Sequence, residues 1–157
     1  MKTITFDIIS FLKFKLDIVK YEKISSKVKW VQKGIDLTEN HFPGIINYLS
    51  KQNILAKIHT YKIIIESDKK RGKEFTKKVF SIWIRKERFK RRILIAVEAI
   101  LIPFTGILAL LPGPNFFFYV PALFLYYHWK SLSGLKKIDL NDLELEIHFV
   151  DKDEIAH

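Results

Sequence analysis

The chain of 157 residues contains no cysteine, which excludes disulfide bonds and thiolate metal sites. His41, His59, His148 and His157 show no pairing at four-residue spacing and share no carboxylate motif, so little recommends a metal centre. A nucleophile elbow, a phosphate-cradling glycine loop and a paired-carboxylate constellation are missing, so neither catalysis nor a bound cofactor is expected. Met1 to Lys20 lacks a signal peptide's order of basic start, apolar core and small-residue cleavage site. Asp7 and Asp17 fit an ordinary transit peptide poorly.

What the chain does have is a long apolar run. From Ile93 to Tyr127 there are 35 residues with a single charge, Glu98. The run is cut by Leu111-Pro112-Gly113-Pro114-Asn115. A helix does not pass through two such prolines, which remove backbone donors and crowd the preceding turn, while Gly113 gives the freedom to reverse. Asn115 is placed to cap the following helix. The expectation is a helical membrane hairpin. Its first arm, Ile93 to Leu111, has 19 residues and reaches about 28 Å, close to the roughly 30 Å of a hydrocarbon core. The second, Phe116 to Trp129, has 14 residues; at about 21 Å it spans only with local thinning or as a re-entrant element. Tyr126, Tyr127 and Trp129 cluster where this arm would re-emerge, as an interfacial aromatic belt requires. The competing expectation is that Phe116 to Tyr127 forms the aromatic core of a soluble protein.

Mean hydropathy, +0.04, conceals this division, and so does the formal net charge of +10. Asp68 to Arg92 holds twelve Lys or Arg against three acids, whereas Ile138 to His157 holds seven acids against one lysine. The basic cluster abuts the apolar run, and no nucleic-acid reading motif accompanies it. Anionic lipid is therefore the expected partner, with Arg85, Lys86, Arg88, Lys90, Arg91 and Arg92 contacting headgroups. Together with Lys130, Lys136 and Lys137, these charges place both ends on the cytoplasmic or matrix side.

From about Lys69 to Arg92, Phe75, Val79, Ile82, Trp83 and Phe89 recur at helical spacing among the basic residues. This amphipathic basic helix runs straight into the first arm, lies along the interface, or packs its stripe into a soluble core. Ile4 to Val19 fits both a strand alternation and a helical stripe. Ile35 to Ser50 reads as short helical pieces around Pro43-Gly44, and Leu55 to Glu66 as a strand or a helix end. Leu143 to Phe149 alternates strictly, the pattern of a half-exposed strand that needs a partner in Ile4–Ile8 or Ile58–Ile65. The expected fold is mainly α with a small β component. It divides into an N-terminal module (1–67), the basic helix (68–92), the hairpin (93–130) and an acidic C-terminal segment (131–157).

Two polar residues near the apolar run stand out. Glu98 is either a proton or cation site or, more plainly, half of an ion pair with Arg91 or Lys90. His128, beside Trp129 and Lys130, is either a titrating group or an interfacial anchor. Pro103, Thr105 and Gly106 loosen the first arm and permit close helix approach.

The order of a basic helix, an apolar arm, Leu110-Leu-Pro-Gly-Pro-Asn-Phe-Phe-Phe-Tyr119 and Tyr126-Tyr-His-Trp-Lys-Ser-Leu-Ser-Gly134 resembles the mitochondrial potassium/proton exchange-related family and its bacterial relatives. The resemblance covers roughly Lys77 to Lys137 and rests on Pro112, Pro114, Asn115, Phe117, Tyr119, His128, Trp129 and Gly134. It implies a protein of the mitochondrial inner or bacterial cytoplasmic membrane linked to potassium/proton homeostasis. Two arms alone form no transport pathway, so a homo-oligomer or a partner membrane subunit is expected. The alternatives are a membrane-anchored scaffold and a soluble α+β protein with an apolar core hairpin.

Overall fold

The computed structural model describes residues 3–10, 13–17, 24–68, 72–108, 116–140 and 145–150. Four helices stand against a four-stranded sheet. In chain order the elements are β1 (Thr3–Ser10), β2 (Lys13–Asp17), α1 (Lys29–His41), α2 (Pro43–Lys57), β3 (Lys62–Asp68), α3 (Lys73–Leu108), α4 (Phe116–Lys136) and β4 (Glu146–Val150). A single 3₁₀ turn, Ile58–Thr60, links α2 to β3.

The ambiguous N-terminal pattern resolves as two antiparallel strands, β1 and β2, with Phe6 opposite Leu16. The strand order is β2-β1-β3-β4. β3 runs parallel to β1, with Phe6 beside Ile65, and β4 runs parallel to β3, with Ile65 beside Ile147. Of the strand expected from the Leu143–Phe149 alternation, Glu146 to Phe149 is strand and pairs with the second of the two candidate partners, while Leu143 and Glu144 lie outside the described residues. Parallel neighbours need long crossovers. Here α1–α2 supply one and α3–α4 the other, so residues from both ends of the chain share one sheet.

Proline marks the junction of α1 and α2. Phe42 donates its N–H to the Thr38 carbonyl, and Pro43 takes the first helical position, where its missing N–H costs nothing. Gly34, by contrast, does not punctuate: it lies buried inside α1, where a β-carbon would come within 3.2 Å of the Leu123 side chain.

Two apolar cores result. Phe6, Ile63 and Ile65 of the sheet pack with Phe80, Trp83 and Ile84 of α3 and with Leu135 beyond them. Phe6 meets the rings of Phe80 and Trp83 edge-on, at centroid distances of 5.3 and 5.2 Å, the favourable geometry for aromatic pairs. The second core joins Ile24, Val31 and Ile35 to Leu49, Leu123 and Tyr127, and binds α1 and α2 to α4.

The basic helix and the first apolar arm are one continuous helix, α3, which passes through Pro103; α4 passes through Pro121 in the same way. The aromatic stripe expected on one side of α3 divides between two faces. Val79 and Trp83 are buried with Phe80 and Ile84, while Phe75, Ile82 and Phe89 are exposed. Spacings of three, four and seven fit adjacent faces equally well, and the sheet covers only one.

The expectation of membrane-crossing arms finds no support in the described helices. Among the described residues, no helix is long and apolar enough to cross a membrane. The apolar half of α3 follows Arg91 and Arg92, contains Glu98 and ends at Leu108, and α4 carries His128, Lys130 and Lys136 in its second half. α4 also turns Ala122, Leu123 and Tyr127 inward. Pro112, Gly113, Pro114 and Asn115 lie outside the described residues.

Candidate functional site

α3 and α4 lie antiparallel: Arg88 meets the carbonyls of Leu135 and Ile138, and ten residues further along α3 Glu98 meets His128. α2 packs on α4 and reaches α3 through the Gln52–Arg91 hydrogen bond, and a polar seam runs through the contact. His128 Nδ1 is 2.6 Å from Glu98 Oε1, and His128 Nε2 is 2.7 Å from the Tyr48 hydroxyl. The imidazole is 2 % exposed. Phe124 stacks on it at 5.9 Å and Tyr48 meets it edge-on.

Below this chain lies a second one. Arg91 Nη1 is 2.7 Å from Glu87 Oε2, one helical turn away, and Arg91 Nε donates to Gln52 Oε1 at 2.9 Å. Tyr48 and Gln52 stand one turn apart on α2, so a single helix face serves both sets. Burial raises the Tyr48 phenol above its ordinary value; Arg91 works against this and the Glu98 and Glu87 carboxylates add to it. Among the described residues, Glu98 Oε2 and the Ser131 hydroxyl are buried without a hydrogen-bond partner.

Glu98 and His128, singled out separately in the sequence, are thus brought together, and several expectations change. Glu98 pairs with His128 instead of Arg91 or Lys90. His128 is an interior residue and not an interfacial anchor, because Tyr48, Glu98 and Phe124 enclose it. Of the residues expected at lipid headgroups, Arg91 is buried in its own ion pair. Arg88 is turned inward, donating from Nε and Nη2 to Leu135 O and from Nη2 to Ile138 O, where it closes the C-terminal end of α4. Arg85, Lys86, Lys90 and Arg92 are exposed. Tyr119 is half-buried on α4, with the Lys33 ammonium 5.8 Å from its ring centre.

Tyr48, Gln52 and Glu87 went unread in the sequence. The one available signal was the four-residue spacing of Glu87 and Arg91; Tyr48 is 80 residues from His128. Among the described residues, no group of three or more His, Cys, Asp or Glu is placed to hold a metal ion.

Beyond the seam α3 is bare. Ile100, Phe104 and Ile107 are 65, 65 and 67 % exposed, and Ile93, Val97 and Leu101 are exposed beside them. On another side, Trp30, Ile102, Ala122, Leu125, Tyr126 and Trp129 line an apolar cleft of about 340 Å³.

A helix bundle on a mixed sheet, with a buried Tyr–His–Glu chain at its centre and an uncovered apolar helix end, is the class of protein defined by this geometry. The chain belongs to the mitochondrial K+–H+ exchange-related family, whose model matches residues 8–141. The match takes in β2, both N-terminal helices and β3, well beyond the Lys77–Lys137 stretch that carried the resemblance. Neither the curated proteins nor the solved structures contain a match. Family membership links the chain to potassium/proton exchange.

Proposed function

We propose that the protein is a membrane-anchored accessory or non-transporting subunit of potassium/proton exchange, held at the mitochondrial inner membrane or its bacterial counterpart by the α3–α4 end of the molecule. It has no catalytic step of its own. The observation that carries this reading is the uncovered apolar half of α3, Ile93 to Ile107. Soluble monomers seldom expose a contiguous apolar surface of this kind. Exposed Arg85, Lys86, Lys90 and Arg92 fill the two turns that lead directly into it, where anionic headgroups would meet them. Insertion of the hairpin end without full crossing agrees with the length of the apolar segment. Interior prolines, here Pro103 and Pro121, are also commoner in membrane helices than in soluble ones.

Flotation with vesicles tests this. The full chain is expected to rise with vesicles containing anionic lipid, less with phosphatidylcholine alone, and Ile100→Glu with Phe104→Glu to abolish the association while far-ultraviolet circular dichroism is unchanged. A wild-type chain that stays monomeric in plain buffer and ignores both vesicle types would overturn the reading. A second reading, a scaffold for a partner subunit, is favoured by the Trp30–Trp129 cleft, which has the size and apolarity to receive side chains of a partner helix.

A further inference from the structure

We infer that Tyr48, His128 and Glu98 form one buried proton-binding site, in which a proton on His128 is the counter-ion of Glu98 and its presence is read on α2 by the Tyr48 hydroxyl. With Glu98 ionised, one arrangement of hydrogens satisfies the geometry. An ionised carboxylate only accepts, so the His128 Nδ1 facing Glu98 Oε1 at 2.6 Å carries a hydrogen in both states of the ring. In the neutral ring the lone pair is then on Nε2, and the Tyr48 hydroxyl donates to it across 2.7 Å. When a proton arrives from solvent it adds to Nε2. The direction of that bond reverses: Nε2–H donates, the phenol oxygen accepts, and the hydroxyl hydrogen turns away. No other bond forms or breaks.

The surrounding charges support a proton as the partner of Glu98. On α3, Arg91 is occupied by Glu87 and by Gln52 of α2, so that pair is neutral within itself. On α4, Lys130 reaches Asn53 and lies over the Tyr126 and Tyr127 rings. On α1, Lys33 lies over Tyr119 and Asp36 accepts from Gln32. Among the described residues this leaves His128 as the titratable group facing Glu98, whose second oxygen is buried there without a hydrogen-bond partner. An uncompensated carboxylate in the interior is costly, and a cation on the adjoining imidazole offsets that cost. The three residues sit on three helices, so the proton joins α3 to α4 directly and touches α2 through one hydrogen bond. The site gives the family's link to proton exchange a location in this chain. It does not depend on membrane attachment, and either can fail with the other intact.

The test is nuclear magnetic resonance of the full chain in detergent micelles, with ¹⁵N in the histidine rings and ¹³C at the tyrosine ζ carbons, titrated from about pH 5 to about pH 8.5, the range in which histidine changes charge. Three results are expected. The neutral His128 is the Nδ1–H tautomer, the Tyr48 signal moves together with the His128 ring signals, and Glu98→Gln displaces the His128 ring-nitrogen signals while leaving those of exposed His41 in place. The first two need no variant, so misfolding of Glu98→Gln leaves the test standing. An Nε2–H tautomer, a Tyr48 signal indifferent to His128, or His128 ring-nitrogen signals unmoved by Glu98→Gln would overturn the proposal. So would His128 signals that shift toward those of the neutral ring as potassium replaces sodium at constant pH and ionic strength, because a metal cation would then be the partner of Glu98.

Discussion

A methyl group on Gly134 would lie 2.1 Å from the carbonyl oxygen of Ala56, with the Ala56 carbonyl carbon and α-carbon barely further away. The obstacle is backbone, so it cannot step aside as a flexible side chain would. Gly134→Ala is expected to destabilise the protein by about 1–3 kcal/mol, as overpacking does, in urea unfolding followed by tryptophan fluorescence. Gly106 on α3 has open space at the same distance, and Gly106→Ala should be neutral or stabilising by up to about 1 kcal/mol through helix propensity alone. Arg91 poses the opposite problem. Its guanidinium is buried against Glu87 and Gln52, so Arg91→Met strands a half-enclosed carboxylate and should cost about 3–5 kcal/mol. Arg91→Met combined with Glu87→Met should recover most of that loss, and a double variant no more stable than the single one would show that the pair matters by shape and not by charge. Tyr48 adds a pH signature. Because burial raises its phenol above 10.0 in the folded state, the folded chain holds that proton more tightly than the unfolded one. The resulting stability is fully present below the ordinary value and is lost as pH climbs from there through the raised folded-state value. Tyr48→Phe should flatten that alkaline decline in thermal unfolding.

At the level of elements, Arg88 of α3 carries the end of α4. Its three donations to Leu135 and Ile138 satisfy carbonyls that a helix C-terminus leaves open. Arg88→Met should therefore cost about 1.5–3 kcal/mol, the range for charge-assisted bonds. Arg88→Lys should recover only part, because an ammonium cannot reproduce the fork. The sequence had assigned this arginine to lipid, and the reason is general. Charge density along a helix says that a cation is present but not which face it points from. Legibility followed the range of the interactions. β4 was readable because alternation is a local signal; its partner was narrowed only to Ile4–Ile8 or Ile58–Ile65, and the fold selects the second. The Ile4–Val19 segment carried two periods at once, and only pairing of β1 with β2 and β3 decides between them. The proton site was half legible. Glu98 and His128 stood out as polar groups in apolar surroundings, but their union depends on the antiparallel packing of α3 on α4. Tyr48 enters from an amphipathic helix where a tyrosine attracts no notice.

For the molecule as a whole, the sheet and the bare helix end define opposite poles. α3 has 36 residues, about 54 Å at helical rise; its first turns pack on the sheet through Phe80, Trp83 and Ile84, and its last turns carry Ile100, Phe104 and Ile107 in the open. β1 and β4 are separated in the sheet only by β3, so the two ends of the described chain are held on the sheet side. If the bare end enters a bilayer as a re-entrant hairpin, both ends must remain on one side of it, which is the side bearing the exposed Arg85, Lys86, Lys90 and Arg92. Epitope tags fused at Met1 and His157, in inner-membrane vesicles of known orientation, should then be cleaved together by an external protease or spared together. Cleavage of one tag with protection of the other would require the chain to cross once. That outcome would mean separating β4 from β3 or β1 from β3, and would break the sheet on which the core of Phe6, Ile65, Phe80 and Trp83 is built.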